Sequence, residues 1–496
     1  MMEQEYDFAI LKALPENAKR LDIENEHPYR NKFARDRDRI LYSKEFKRLA
    51  GKTQVFVVGF DDHQRNRLTH TLEVAQIAKT ISSYFGFNLF LTEAITLGHD
   101  VGHTPFGHVG ERTLNYIMNN CNKLKDHYSI SEGNKGFKHN WQGIRVVTEL
   151  EKISDIYNGL NLTNFTLWGI LHHSNVKYNL CKYSENDDNL CNLQQTNVIC
   201  NQKRIEIKDD PGKYGKLLEL DFYNHYQDSI PDEDWTFEAL VVRVADEIAQ
   251  RHHDTEDSLL ATLFKREELL NGFLKCFEVF IINEYEEEFF KLYDHLNDEL
   301  FVIHFTRFVI DFLVSHLIKN SIKNLTELVK NYKVSSSENF LEVKNEIFAD
   351  YQLSGIYDII SYDKEFAKCE KNYQDIIWKR ILLSHLAQSM DGKSKYIIER
   401  LFKAFITNPQ QLADGTIKNL FKRLNKAFPD QGYEINDVGK QRIILNDLHF
   451  GEHNSIYLNI LHRTICDFIA GTTDNYAIKL YSTMYGTRQV FSNNGM

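Results

Sequence analysis

Proline is scarce in this chain, seven in 496 residues, and glycine is sparse at 24. That shortage removes the turn punctuation that a β-sandwich or barrel needs and favours long helices. The seven cysteines are an odd number without regular spacing or a CxxC pair. A disulfide scaffold and a zinc ribbon are thereby excluded, and reduced thiols of a cytoplasmic protein are expected. No long unbroken apolar run is present. The most apolar stretch, FVIHFTRFVIDFLV, is interrupted by His304, Arg307 and Asp311, so it reads as a core helix and no membrane association is expected. The first twenty residues lack the basic and apolar regions of a signal peptide. Nor is there an excess of positive charge: 59 basic against 70 acidic side chains give −11, which excludes a chain that is basic overall, though a local basic groove stays open.

What is present is 42% hydrophobic residues, enough for a large core. Apolar spacing predicts helices over residues 35–49, 68–85, 91–98, 107–119, 141–152 and 163–173, with more from Phe237 onward. Residues 53–60 (TQVFVVGF) are β-branched and aromatic and read as a short strand or extended loop. The stretch 174–232 is rich in Asn, Asp, Gln and Lys and reads as a polar insertion with loops and a hairpin near 198–207. The phenylalanine-rich run 267–330 is core or subunit-contact material, and three serines at 335–337 mark a linker. The basic series Arg35, Arg37, Arg39, Lys44, Lys47 and Arg48 has two readings, a solvated face or a neighbour of an anionic ligand.

The densest chemistry lies in residues 97–111, LGHDVGHTPFGHVGE, which hold three histidines and two carboxylates. Such a cluster is costly inside an apolar helical protein unless it binds a cation or moves protons. His99 and Asp100 supply two adjacent ligands. His70, near the start of an amphipathic helix, and Asp246, beside the apolar face of ALVVRVADEIAQRHHD, extend the set to His…His-Asp…Asp. This mixed nitrogen and oxygen set suits one divalent ion per site, Mn²⁺ or Mg²⁺ first, with Fe²⁺, Co²⁺ and Ni²⁺ as alternatives. Such a set leaves positions on the ion for water and substrate and would acidify a bound water. His103 and His108 follow His99 by four and nine residues, and Glu111 follows His108 by three. In a helix, that last spacing places a carboxylate where it orients an imidazole for proton transfer.

The H…HD…D pattern resembles the HD phosphohydrolase superfamily. Five segments resemble one branch, the dGTPase-like deoxynucleoside triphosphate triphosphohydrolases: RDRDRILYSKEFKRLAGKTQVF, RNRLTHTLEVAQIA, LGHDVGHTPFGHVGE, FKHNWQGIRVV and the ADE at 245–247. The C-terminal DFIAGTTDNYAIKLYSTMYG resembles the end of the same proteins. The resemblance implies an all-α fold with an arm at 1–34, an HD core at 35–260, and helices at 261–496 that complete the same fold. It implies hydrolysis of a dNTP to deoxynucleoside and tripolyphosphate, with His108 as general acid, Glu111 orienting it and His103 on the α-phosphate. Arg67 matches the family's α-phosphate arginine, Gln54 the glutamine on the sugar 3′-hydroxyl, His139 a pocket histidine, and Asp254 a sugar or triphosphate contact. Where the family commonly has a tyrosine four residues after the metal aspartate, this chain has Gln250. His172 and His173 read as pocket-lining or core residues in preference to a second metal site. Relatives of this kind form tetramers or hexamers and respond to a second dNTP, so a homo-oligomer with an allosteric nucleotide is the matching expectation. Two alternatives stand beside it: another HD phosphohydrolase or phosphodiesterase, and a catalytically silent sensor of nucleotide or single-stranded DNA.

Overall fold

The computed structural model describes residues 6–54, 65–120, 129–177, 205–206, 214–215, 219–294, 297–431, 433, 436–451 and 455–486. The fold is all-α, 74% helical. In chain order the helices are α1 (Lys32–Tyr42), α2 (Lys44–Arg48), α3 (Arg67–Phe85), α4 (Leu89–Gly98), α5 (Gly107–Met118), α6 (His139–Arg145), α7 (Asn164–His172), α8 (Asn224–Gln227) and α9 (Phe237–Leu260). There follow α10 (Arg266–Glu284), α11 (Glu286–Phe290), α12 (Asp298–Asn331), α13 (Ser337–Ile356), α14 (Lys364–Leu382), α15 (His385–Thr407), α16 (Asp414–Ala427), α17 (Val438–Phe450), α18 (Ser455–Ala470) and α19 (Asp474–Tyr485). Among the described residues the only sheet is a two-stranded antiparallel hairpin, β1 (Ile205–Glu206) on β2 (Tyr214–Gly215), with Ile205 opposite Gly215.

Two apolar clusters organise these helices. The larger draws on α1, α3, α4, α7 and α9 to α14 and includes Phe33, Ile40, Ile81, Ile95, Phe273 and Phe312. Each such side chain, fully withdrawn from water, contributes about 1.5–3 kcal/mol. The smaller is built by α5 and α15 to α19 and includes Phe106, Leu114, Phe402 and Leu461. Helix α12 is the one described helix long and apolar enough to cross a membrane. Phe301, Phe305, Val309, Phe312 and Leu317 along one of its faces are buried in the larger cluster.

Local capping explains several boundaries. The Asn66 side chain accepts from Thr69 N (3.0 Å) while Thr69 Oγ1 accepts from Asn66 N (3.2 Å), a reciprocal pair that starts α3; Gly86 ends it at φ 75°. The helix expected over 35–49 is broken. Ser43 leaves helical geometry (ψ 157°) and its hydroxyl caps α2 through Phe46 N, so Leu41 is exposed while Ile40 and Phe46 stay buried. Of the serines at 335–337, Ser336 is extended and its hydroxyl caps α13 by accepting from Asn339 N (3.2 Å), and Ser337 is the first residue of that helix. Of the polar stretch 174–232, residues 178–204 lie outside the described residues, but Tyr223 and Tyr226 are buried, and Tyr223 donates to Gln142 on α6 (3.1 Å). Residues 55–60 of the expected strand also lie outside; Thr53 forms an isolated bridge with Asn66. The basic series on α1 is engaged in ion pairs: Arg35 and Arg39 with Glu24, Arg37 with Asp38 (2.7 Å) and Glu93 (3.4 Å). Arg35 and Arg39 thereby tie α1 to the N-terminal segment.

Candidate active site

Helices α3, α4 and α9 pack against one another and carry His70, His99-Asp100 and Asp246 respectively. His99 continues the helical geometry of α4 (φ −59°, ψ −38°), and a turn then leads through Gly102. A Cβ at Gly102 would lie 2.1 Å from the His139 carbonyl oxygen and 2.2 Å from Gly143 N, so only glycine lets this turn rest on α6. The next turn puts Phe106 in the left-handed region (φ 61°) ahead of α5, with its N–H donated to Asp474 Oδ1 at 2.8 Å. The other Asp474 oxygen accepts from Thr53 N at 3.0 Å, next to Gln54.

Three of the four proposed ligands, His70, His99 and Asp246, place ligand atoms within 4.8 Å of one another, and Asp100 lies beside them. Nε2 of His70 lies 3.0 Å from Asp246 Oδ1 and 3.9 Å from Asp100 Oδ2. Nε2 of His99 lies 3.5 Å from Asp100 Oδ1 and 3.8 Å from Asp246 Oδ1. Ligand atoms held at about 2.0–2.2 Å from a cation require spacings of this kind. The donor set passes a second test. His99 Nδ1 is hydrogen-bonded to the Thr96 carbonyl (2.6 Å), which leaves Nε2 as a lone pair, and that buried nitrogen has no partner. A divalent cation fits this set. Burial alone would raise the Asp100 carboxyl, but the Arg67 charge and the imidazoles of His99 and His103 hold it well below the carboxylate range. Asp246 is likewise lowered against its burial, by the adjacent His70 and His99 rings.

Around this set the structure places the other predicted residues. Arg67 is buried and donates to Asp100 Oδ2 at 2.8 Å, while its Nε and Nη2 have no partner. Oε1 of Gln54 and Nδ1 of His103 are also buried without partners. A Cβ at Gly107 would lie 3.5 Å from Arg67 Nη2 and 3.6 Å from the backbone carbonyl of Gln54, so the Arg67 guanidinium and the Gln54 backbone border the same glycine. His103 reaches Asp100 through Nε2 (3.0 Å) and stacks on His139 at 3.9 Å between ring centroids. Glu111 accepts from His139 Nδ1 at 2.5 Å, a carboxylate–imidazole pair the sequence did not suggest. Nδ1 of His173 is bonded to the Ile170 carbonyl (2.8 Å), so its Nε2 is left as an acceptor 3.2 Å from His139 Nε2. The Ser174 hydroxyl also lies 3.3 Å from His139 Nε2. His108 is exposed, and its ring lies 5.8 Å from that of His103. Desolvation by the surrounding protein, against the pull of Glu111, shifts its pKa down toward about 4.

Asp254 does not join the cluster. It accepts from Trp378 Nε1 on α14 at 2.8 Å, and burial, against Arg251 and that hydrogen bond, pushes it up to about 6. His172 stacks on Trp168 and bonds Tyr357 (2.9 Å), a core position, and burial followed by the Arg243 charge lowers its pKa to about 3. His462, also buried, is lowered to about 3 by burial and then by Arg463. Below pH 6.5 the unfolded chain takes up protons that these folded imidazoles refuse, so stability falls as pH falls from 6.5 toward 3. The expected slope is about 1.4 kcal/mol per pH unit per histidine. Thermal unfolding of chelator-treated protein at pH 7.5, 6 and 5 checks this, and His172→Gln should flatten the slope.

An open cleft of about 390 Å³ adjoins Asp246, lined by His173, Arg243, Gln250, Glu370, Lys371 and Gln374. Its α14 residues carry no local motif and were not legible in the sequence. His253 and Glu73 were also missed: the His70 ring is backed by His253, with Nδ1 to Nδ1 3.1 Å, and His253 Nε2 meets Glu73. Spacing gave a signal for both, since Glu73 follows His70 by three residues and His253 follows Asp246 by seven, each pair on one helix face.

Residues 67–251 match the HD domain family. The chain is 30% identical over 94% of its length, and 93% of the relative's, to a deoxyguanosinetriphosphate triphosphohydrolase-like protein of Leptospira interrogans. It is 29% identical to the like-named protein of Rickettsia canadensis (94% of this chain, 96% of the relative). The corresponding Bartonella quintana protein is 28% identical (96% and 95%).

Proposed function

The chain belongs to the HD-domain, dGTP triphosphohydrolase-like family and is a metal-dependent phosphohydrolase; from that premise we propose that it cleaves a dNTP at the α-phosphate ester, releasing deoxynucleoside and inorganic tripolyphosphate. The observation that carries this reading is the set of buried, unpartnered polar atoms on two residues that contact Asp100, Arg67 Nε and Nη2 and His103 Nδ1, together with Gln54 Oε1, which is also buried without a partner. Such groups are costly unless a ligand completes them, and the first three suit phosphate oxygens.

When bound at His70, His99, Asp100 and Asp246, a divalent cation, Mn²⁺ or Mg²⁺ in this reading, supplies Lewis-acid polarisation of the phosphate and acidifies water. The protein's own side chains do the rest. Arg67, held at one nitrogen by Asp100, directs its free donors at the α-phosphate and fixes it for attack. His103 must be protonated at Nδ1 to donate to the same phosphate, and the incoming negative charge favours that state. Gln54 Oε1 accepts from the sugar 3′-hydroxyl. His108, open to solvent, protonates the departing 5′ oxygen; the substrate's charge raises its pKa from the low value of the free enzyme. Glu111 and His139 form a buried reservoir for that proton. The cleft beyond Asp246 receives the remainder of the nucleotide, with Gln250 in place of an aromatic stacking partner.

The reading includes a cytoplasmic homo-oligomer activated by a second dNTP. Product analysis across the four dNTPs, alone and mixed, tests it. Intact tripolyphosphate plus deoxynucleoside is the expected result, with higher rates in mixtures if an effector acts. Pyrophosphate with nucleoside monophosphate, or turnover confined to cyclic nucleotides, would refute the chemistry. Binding without product would favour the sensor.

A further inference from the structure

Behind the proposed ligand His70, on the side away from Asp246, lies a chain of three side chains from two helices. Nδ1 of His70 on α3 is 3.1 Å from Nδ1 of His253 on α9, and Nε2 of His253 contacts Glu73 on α3. The His253 ring is fully buried, whereas the Glu73 side chain is 37% exposed, so the chain runs from the site to the surface. The other Glu73 oxygen is held by Arg65 Nη2 at 3.2 Å, and Arg65 is itself paired with Glu256.

Proton counting along this chain leaves few arrangements. Each neutral imidazole carries one N–H and one lone pair. A carboxylate at Glu73 requires a proton on His253 Nε2, which makes His253 Nδ1 an acceptor. His70 must then carry its proton on Nδ1, and its Nε2 lone pair is aimed at Asp246, Asp100 and the cation. Reversing any link reverses the outcome: a proton on His70 Nε2 would point at the ion and exclude it.

We propose that Glu73 and His253 are positioning residues that fix the metal-binding tautomer of His70 through a carboxylate–imidazole–imidazole chain. The inference rests on the metal-dependent reading of the site. One competing occupant uses the same atoms. Glu73, His252 and His253 place ligand atoms within 4.8 Å of one another, so a second cation is conceivable there. It would need the His253 Nε2 lone pair, hence a proton on His253 Nδ1, a lone pair on His70 Nδ1 and a proton on His70 Nε2. Filling that position therefore disables the first. Arg65 already balances the Glu73 charge, which further disfavours a cation there.

The test is Mn²⁺ binding to metal-stripped full-length protein, by titration calorimetry, for wild type, Glu73→Ala, Glu73→Gln and His253→Leu. Wild type should bind one Mn²⁺ per chain at this site. Glu73→Ala and His253→Leu should weaken it by about 10- to 100-fold, and Glu73→Gln, which keeps an acceptor oxygen, should recover most of the loss. Thermal melts of the stripped variants establish that they fold, and Glu73, being partly exposed, is the safer substitution. Wild-type affinity in both disruptive variants overturns the inference. So does uptake of two ions by wild type with only one lost in Glu73→Ala. Wild-type protein that takes up no Mn²⁺ overturns the metal reading itself, and this inference with it.

Discussion

Alanine in place of Asp100 is expected to give a protein that neither retains metal nor releases product. Its carboxylate lies 3.5 Å from His99 Nε2, and it is a proposed ligand as well as the partner of Arg67 and His103. Two effects separate in such a variant. Loss of a ligand abolishes the cation's hold, which Asp246→Ala should do equally. Loss of the Asp100 charge also strands the Arg67 guanidinium, 2% exposed, without its 2.8 Å counter-ion. Breaking a buried pair from one side costs about 3–5 kcal/mol. Both variants should therefore lose bound metal, by elemental analysis, and turnover, by product assay. Asp100→Ala should melt at the lower temperature. Retained metal and turnover in Asp100→Ala would remove the ligand assignment.

Substituting His108 by alanine should leave metal content intact and lower kcat by about 10²- to 10⁴-fold, the usual worth of a general acid. Its exposure makes this separation clean, because no buried contact is expected to collapse with it. The sign of the pH dependence is fixed by the role. An acid must carry its proton, so wild-type kcat should fall as pH rises through the substrate-bound pKa of His108. The alanine variant should lack that alkaline limb. Metal analysis and pH–rate profiles of the two proteins decide the point; a variant that keeps the limb would transfer the acid role to another group, with His139 beside Glu111 the first to examine.

Legibility in the sequence follows from how local each signal is. The α3 helix is read to within one residue because its apolar spacing is unbroken over its length. His99, Asp100, His103, His108 and Glu111 stand out because one short stretch holds them all. The break at Ser43 is lost because apolar residues continue on either side of it. The Glu111–His139 pair joins residues 28 positions apart, and Lys371 and Gln374 reach the cleft from a helix whose own sequence is unremarked. The family resemblance carried His139 and Asp254 into the set of substrate contacts; the structure gives the first a carboxylate and the second a tryptophan as partner. Nothing short of the packed chain assigns such partners.

The turn that runs from His99 to Phe106 begins in one apolar cluster and ends in the other, and Asp474 ties its far end down from 368 residues away. During synthesis, then, the ligand-bearing helices α3, α4 and α9 can settle long before α19 leaves the ribosome. A nascent or prematurely terminated chain would hold its cation set without the anchor that fixes Phe106 and Thr53. Closure of the loop that follows the proposed cation set thus depends on a contact between residues 368 positions apart.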